Sequence, residues 1–468
     1  MTETQDTPST RKVRRDVRGG KRGSGWELQR EGRRVRRPDP RSLRVTTGHD
    51  NLTSVAGLVE FGAFLRERGV DRGLAERFGH LKEGRRVVYP MGAQLRLMLD
   101  LHAAGEGRPF GIEALAHDAL FVQLAGGHVP SVDVLYDDLE RFGPSELASL
   151  ERMMADEAVR RLRKAKPRIV HIDIDTTVTV LFGSQEGALP GPNPRHHGRP
   201  SYHPMLARVV EVDGICGAQL RPGDRGFGEE DVPVVVAWVQ RVREAVGPDC
   251  LIRVRIDAAG DCTALMKALD AAGVHFYTKA RITQDLADAI ALRTAWKSTA
   301  HDALGKPTRQ ATTVMFQRRE WTKADLFPRV VAIRSRERDN GKQVFLWEDL
   351  DYTVQCWLTN DAQATEEEIA AIYNERAGIE PIIGELKSAW CIGKAPSAVF
   401  HANHAAFLLK LLAHNLFRAF VAERYAPLAR WRSAWARRVT ILRPGRLVRS
   451  GRRLALATTT VRLPSMRC

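Results

Sequence analysis

The sequence predicts a mixed α/β protein, helical at first and then built on a mixed sheet with helices packed against it. Three observations carry this. Apolar residues recur at three- and four-residue spacing through residues 50–165, the period of an amphipathic helix. From Pro167 the period drops to two: Val170, Ile172 and Ile174 fall on one side, His171, Asp173 and Asp175 on the other, as a strand requires. This strand and the two after it, in antiparallel succession, give way to an alternation of helix and strand, an order that demands both antiparallel and parallel pairing in one sheet.

The elements follow in order. Apolar periodicity places helices over Ala56–Val70, Gln94–Ala104 and Ile112–Leu124. Ser131 as an N-cap and Pro144 as a first-turn proline open two more, the last running to Lys166. Several short helices suit a helix-turn-helix DNA reader and a plain bundle equally. The sheet starts at Val170–Asp175, continues over Pro204–Val212, turns at Asp213-Gly214 and returns over Ile215–Arg221. Asp and Gly suit the positive φ angles of a two-residue hairpin. A helix (Val232–Val246), a strand (Leu251–Asp257), a helix (Cys262–Ala272) and a strand (Val274–Lys279) come next. Residues 312–360 hold strand-like runs at Thr313–Gln317, Val330–Ile333, Val344–Trp347 and Tyr352–Leu358, with a turn at Asp339-Asn340-Gly341, and read as a β insertion. The capping box Thr365-Glu366-Glu367-Glu368 opens a long helix. Pro381 lies inside that helix, lacks the N–H owed to the carbonyl of Ala377, and predicts a kink.

Charge is unevenly placed. The chain has 72 Lys and Arg against 56 Asp and Glu, a net +16. Residues 1–48 carry +8 and residues 421–468 carry +11, leaving −3 on everything between. Basic ends around a slightly acidic body point to a polyanion, nucleic acid before an anionic membrane; the plainer alternative is solubility. Residues 1–48 are too poor in large apolar side chains to offset the entropy of ordering, and the Arg33–Arg37 tract could lie in a minor groove or on phosphates.

The start, MTETQDTPSTRKVRR, has no apolar core and is not read as a secretory signal. Ala405–Phe420 is apolar, but Lys410, His414 and Arg418 interrupt it at four-residue spacing, the mark of a buried helix and not of a membrane span. Cys216, Cys250, Cys262, Cys356, Cys391 and Cys468 form no CxxC pair, so free thiols in a reducing cytoplasm are expected and a thiolate zinc site is not.

Three carboxylates stand where chemistry could use them. Asp175 is on the non-core face of the first strand and Asp257 ends the fourth, which is a candidate neighbour of the first in such a sheet. Glu380 is in the long helix, with Tyr373, Arg376 and Lys387 at offsets that share one face at about 100° per residue. A carboxylate trio can hold two divalent cations for an in-line phosphoryl displacement, with cations beside it for flanking phosphates. Turn aspartates and a solvated, salt-bridged helix face would look the same. His196-His197, beside Arg195 and Arg199, is open to metal, DNA or solvent; Trp431 and Trp435, among arginines, are open to core packing or base stacking.

Tyr373-x2-Arg376-x3-Glu380-x6-Lys387 resembles the Y-R-E-K signature of bacterial insertion-sequence DDE transposases of the IS-four-like superfamily. Asp173-Ile174-Asp175-Thr176-Thr177 resembles the segment bearing that superfamily's first catalytic Asp. Gly183-Ser184-Gln185-Glu186-Gly187-Ala188, Gly198-Arg199-Pro200-Ser201-Tyr202-His203-Pro204, Leu220-Arg221-Pro222-Gly223 and the run from Pro444 to Arg453 are similar to segments of its thirteen-eighty branch. The resemblance spans about residues 130–468 and implies an RNase H-like core with a β-rich insertion before the catalytic Glu. By position it makes Asp175, Asp257 and Glu380 the catalytic, metal-binding triad for two Mg2+ ions, with Mn2+ as a substitute. Tyr373, Arg376, Lys387 and Arg199 become DNA contacts. Asp261 and Asp173 are rivals for the second and first positions, since Arg255-Ile256-Asp257-Ala258-Ala259-Gly260-Asp261 departs from the branch's usual run.

The expected organisation is a basic arm (1–48), a helical DNA-binding domain (49–166), the first part of the core (167–281), a β-rich insertion (282–363), the Glu helix with its successor (364–420) and a basic C-terminal segment (421–468). The resemblance implies a transposase that binds terminal inverted repeats and target DNA, cuts and joins strands, pairs ends as a homodimer, works at the cytoplasmic nucleoid and needs no membrane. A non-transposing metal nuclease of this fold and a catalytically decayed DNA-binding relic are the alternatives.

Overall fold

The computed structural model describes residues 50–193, 196–336, 352–451 and 453–461. The expected arm at 1–48 with its Arg33–Arg37 tract, Arg195, the turn at Asp339-Asn340-Gly341 and the strand at Val344–Trp347 lie outside the described residues.

A short strand, β1 (Leu52–Thr53), precedes a run of helices: α1 (Leu58–Glu67), α2 (Val70–Phe78), α3 (Met91–Ala104), α4 (Ile112–Leu115), α5 (Ala119–Leu124), α6 (Val132–Glu140) and α7 (Pro144–Ala165). The expected helix Ala56–Val70 is present as α1 with an unexpected helix, α2, directly after it, and the expected Ile112–Leu124 is split into α4 and α5. Gly69 takes the left-handed conformation (φ 70°) and ends α1 before α2 begins. Asp118 accepts from the N–H groups of Leu120 and Phe121, both at 3.1 Å, and so starts α5 afresh. Ser131 and Pro144 open α6 and α7 as the sequence indicates.

The sheet elements are β2 (Ile169–Thr176), β3 (Thr179–Val180), β4 (Leu189–Pro190), β5 (Pro200–Tyr202), β6 (Met205–Val209), β7 (Gly214–Gln219), α8 (Val232–Val246), β8 (Leu251–Ile256), α9 (Thr263–Ala271) and β9 (His275–Lys279). They continue through α10 (Gln284–Ala291), β10 (Lys297–His301), β11 (Pro307–Val314), α11 (Arg319–Lys323), β12 (Arg329–Arg336) and β13 (Tyr352–Thr359). Among the described residues nine strands form one mixed sheet in the order β10-β11-β12-β13-β9-β8-β2-β6-β7. β8 lies parallel to β2 and to β9; the other pairs are antiparallel. Strands β10–β13 form no separate sheet, because β13 hydrogen-bonds to the free edge of β9 and prolongs the main sheet.

The hairpin between β6 and β7 differs from expectation. Val210–Asp213 forms a four-residue turn, only Asp213 has a positive φ (47°), and a register shift follows Ala207. The physical reason is the Asp213 carboxylate, which is held by Arg208 (2.8 Å) and Arg418 (2.8 Å) and so is not free to swing in a tight two-residue loop.

One sheet face is apolar. Val170, Ile172, Ile174, Ile252, Val254 and Ile256 are buried with Trp238 of α8 and Leu265 and Leu269 of α9, each large side chain contributing roughly 1.5–3 kcal/mol. The other face receives the C-terminal helices α12 (Glu366–Asn374), α13 (Ile379–Ala389) and α14 (Phe400–Arg424); α15 (Ser433–Thr440) packs on α13 and α14, before a hairpin of β14 (Gly445–Ser450) and β15 (Arg453–Thr458). α14 is apolar and long enough to cross a membrane, yet 94% of its apolar window is buried against α3, α6, α7 and β7. Two of its polar interruptions are satisfied inside: Lys410 donates to the carbonyls of Cys391 (3.0 Å) and Lys394 (2.8 Å), and Arg418 reaches Asp213, while His414 packs its ring edge-on against Trp390.

Two predictions test this packing. A Cβ on Gly217 would lie 2.2 Å from the Trp238 ring, so Gly217→Val should cost at least about 1–3 kcal/mol in chemical denaturation. Burial, reinforced by Arg108 and Lys394, pushes the Lys410 ammonium down to about 7. Between that value and the ordinary lysine range the unfolded chain holds the proton more tightly, so stability should rise with pH from about 7 to 10. Lys410→Met should remove that rise relative to the unmodified protein; identical slopes would contradict it.

Candidate active site

Asp175 sits one residue before the end of β2, and Asp257 directly follows β8. The parallel register pairs Ile174 with Ile256, so the two aspartates leave adjacent strands at the same rim. Asp175 is largely buried (12% exposed) and Asp257 half open (44%). Each carboxylate is fixed by backbone: Asp175 accepts from the Thr176 N–H (2.9 Å), and Asp257 accepts from the Ala259 N–H (3.0 Å) as the cap of a short 3-10 turn. The Thr278 hydroxyl donates to the Asp257 carbonyl (2.5 Å).

Arg376 bridges the pair, with Nη2 3.1 Å from Asp175 Oδ1 and 4.0 Å from Asp257 Oδ2. It reaches them because the expected long helix is not continuous. α12 stops at Asn374, residues Glu375–Gly378 form a 3-10 turn, and α13 restarts at Ile379. Pro381 explains the break, since it cannot return a hydrogen bond to Ala377. Glu380 lies in the first turn of α13, exposed and without a hydrogen bond or ion pair among the described residues, yet its charge reaches Asp175. Tyr373 is buried edge-on against Trp357 at 6.3 Å, and the Lys279 ammonium sits 5.9 Å from its ring centroid. Lys387 donates to the carbonyl of Val178 (2.9 Å) and so ties α13 to the segment just beyond Asp175.

Asp175, Asp257, Glu380, Tyr373 and Arg376 therefore share one electrostatic neighbourhood. Arg199 is exposed on the loop before β5, its guanidinium 5.6 Å from the Phe182 ring, and makes no contact with the carboxylates. The rival acids are engaged elsewhere. Asp261 is held by both terminal nitrogens of Arg318 (2.6 and 2.8 Å) and by the Arg281 N–H. Asp173 is wholly buried and paired with Arg255 at 2.6 Å. Arg255 also donates to the Ile372 carbonyl (3.0 Å) and to Glu375 (3.1 Å), fastening the end of α12 to the sheet. Arg255, Thr278 and Lys279 were not singled out by the sequence. The alternation that put Asp173 on the polar face also puts Arg255 there, one strand over, and that was the available signal. His196 and His197 are exposed, Trp431 packs against the helical core, and Trp435 is 58% exposed.

Burial dominates the electrostatics. It pushes the Asp175 carboxyl up to about 6, against the pull of Arg376 and helped by the charges of Asp257 and Glu380. Burial raises the Tyr373 phenol as well. Among the described residues no three Asp, Glu, His or Cys side chains are near enough to share one ion. The donors nevertheless fit a hard divalent cation: all are carboxylate oxygens, and a desolvated Asp175 between two other acids lacks positive charge, part of which Arg376 supplies.

The Arg255–Asp173 pair yields a prediction. Arg255→Met strands a buried carboxylate and should destabilise by about 3–5 kcal/mol in thermal or urea unfolding. Asp257→Asn relieves like-charge repulsion at an open position and should shift stability by less than about 1 kcal/mol.

Comparison with known proteins adds an independent line. The family described as "Transposase DDE domain group 1" matches residues 36–464. No curated protein matches the chain in sequence. Two solved structures are similar. One is a piggyBac transposase synaptic complex with hairpin DNA (10% identity, TM-score 0.42, 82% of this chain and 78% of that one). The other is the Mos1 transposase paired-end complex with left transposon end (11% identity, TM-score 0.17, 42% and 60%). A family match over nearly the whole chain, on a mixed sheet whose rim gathers acidic side chains, identifies this protein as a member of the DDE transposase family.

Proposed function

We propose that this transposase belongs to the Y-R-E-K, thirteen-eighty branch and acts on the terminal inverted repeats of its own element. It frees a 3′ hydroxyl at the element's end and joins that hydroxyl to target DNA. The observation that carries the reading is the Asp175–Asp257 pair on adjacent parallel strands, bridged by Arg376. The strand order β7-β6-β2-β8-β9, three antiparallel strands followed by two parallel ones, supports an RNase H-like core.

In this reading Asp175, Asp257 and Glu380 hold two Mg2+ ions, for which Mn2+ can substitute. When bound, these ions lower the pKa of the attacking oxygen and neutralise charge that develops at the phosphate. The chain's own residues do the rest. Asp175, whose carboxyl burial pushes up to about 6, would be held in its ionised form by cationic surroundings. Arg376, relieved of the aspartates, turns its fork of donors to a non-bridging phosphate oxygen. Tyr373 and Lys387 flank the same phosphodiester, and Arg199 contacts DNA further along. In the first step the oxygen of water bonds to phosphorus, the P–O3′ bond breaks, and a proton from that water, relayed through solvent, ends on O3′ to give the free 3′ hydroxyl. In the second, the freed 3′ hydroxyl takes the place of water. Two ends brought together imply a homodimer on DNA, working at the cytoplasmic nucleoid.

The test is strand cleavage and joining on duplexes carrying the DNA that borders the protein's own gene. Asp175→Asn and Glu380→Gln should reduce cleavage to background with Mg2+ or Mn2+ while leaving end binding intact. Cleavage without joining would support a plain nuclease, and no cleavage by the unmodified protein would support a decayed relic. Either result overturns the proposal.

A further inference from the structure

We propose that the β14–β15 hairpin enters the major groove of duplex DNA and reads guanine edges with Arg446 and Arg453. This rests on the reading that the protein binds its own element's ends. Among the described residues the hairpin is the only extended feature in a tract that, after Glu423, contains no Asp or Glu.

Its geometry is that of a free ribbon. β1 pairs only with Gly445 and Arg446, and the Asn51 carbonyl takes the Leu447 N–H at 2.8 Å. Beyond that point, among the described residues, the two strands have no third strand beside them. The two faces differ. Leu447 lies opposite Leu456, and both are half-buried. The outward pairs are Arg446 with Ala457 and Val448 with Ala455, and all four residues are exposed, Val448 by 42%. Arg453, also exposed, lies opposite Ser450 on the same outward side.

Each feature suits a groove. A two-stranded ribbon fits the major groove, about 12 Å wide. The small floor of Val448, Ala455 and Ala457 lets the backbone come near base edges and offers methyl groups to thymine. Four residues of strand separate the two arginine positions by roughly 13 Å, about four base-pair steps. Neither arginine has an ion pair among the described residues, so both keep their forks for N7 and O6 of guanine. A second copy of the chain is the other partner that an open β15 edge could take. It would set this uncompensated cationic ribbon against its own duplicate, which charge disfavours.

The experiment uses the full chain on duplexes tiled across the DNA flanking its own gene, with a scrambled duplex of equal composition, over a range of salt. The variants are Arg446→Lys/Arg453→Lys and Arg446→Ala/Arg453→Ala, both at exposed positions, with circular dichroism to verify the fold. The lysine variant should keep the salt dependence but lose roughly tenfold or more of the preference for the bound duplex. The alanine variant should lose that preference and also flatten the salt slope by about one per arginine. Guanine N7 methylation should block the unmodified protein and not the lysine variant. Full preference in the lysine variant, or unmodified binding in both, overturns the proposal. A change of oligomeric state in the variants without DNA assigns the ribbon to self-pairing and also overturns it. If the unmodified protein binds no flanking duplex, end binding itself falls and takes this proposal with it.

Discussion

Two carboxylates emerging side by side from parallel strands repel each other, and the protein meets that repulsion with one guanidinium. Arg376 stands within 3.1 Å of Asp175 and 4.0 Å of Asp257. It does not fully compensate. Asp175 is still pushed up to about 6, roughly 3 kcal/mol against its charged form. A rim that penalises its own charge this much would gain from a further cation, as the proposed function requires. The exposure of Asp257 and the unpaired Glu380 leave room for it.

Everything else at the rim serves that placement. Arg376 can reach the aspartates because the chain passes through a 3-10 turn between α12 and α13, and Pro381 denies the carbonyl of Ala377 its helical partner. The turn stays where it is because Arg255, buried and paired with Asp173, holds the Ile372 carbonyl and Glu375 from below. Lys387 secures the far side of α13 to Val178. Helix and sheet are thus joined by charged groups under the acidic rim, and the apolar face of the sheet is left to α8 and α9. The C-terminal end of α13 is held in turn by Lys410 and Arg437, which donate to the carbonyls of Cys391 and Ala389.

Much of this was legible in the residues. Period-two alternation gave β2 and β8 their faces, and the spacing of Tyr373, Arg376, Glu380 and Lys387 marked one stretch of helix. The kink that Pro381 predicts in the long helix is present as the 3-10 turn at Glu375–Gly378, one turn before the proline itself, because the bond it withholds is the one owed to Ala377. The hairpin at Asp213 was misread because Asp-Gly describes a local preference, whereas Asp213 is claimed by Arg208 and by Arg418 from far along the chain. Arg255 escaped notice because a lone arginine in a strand has no meaning until the strand beside it is known. The same holds for β13, whose attachment to β9 no local pattern encodes.

The central claim is that Asp175, Asp257 and Glu380 together form the cation site. Backbone cleavage by hydroxyl radicals generated at Fe2+ bound in place of Mg2+ reads the position of that site directly. The account predicts cuts clustered near residues 175, 257 and 380, suppressed by excess Mg2+ and lost in Asp175→Asn. Cuts clustered elsewhere, such as at the buried Asp100 in the helical region, or none that Mg2+ suppresses, would contradict it.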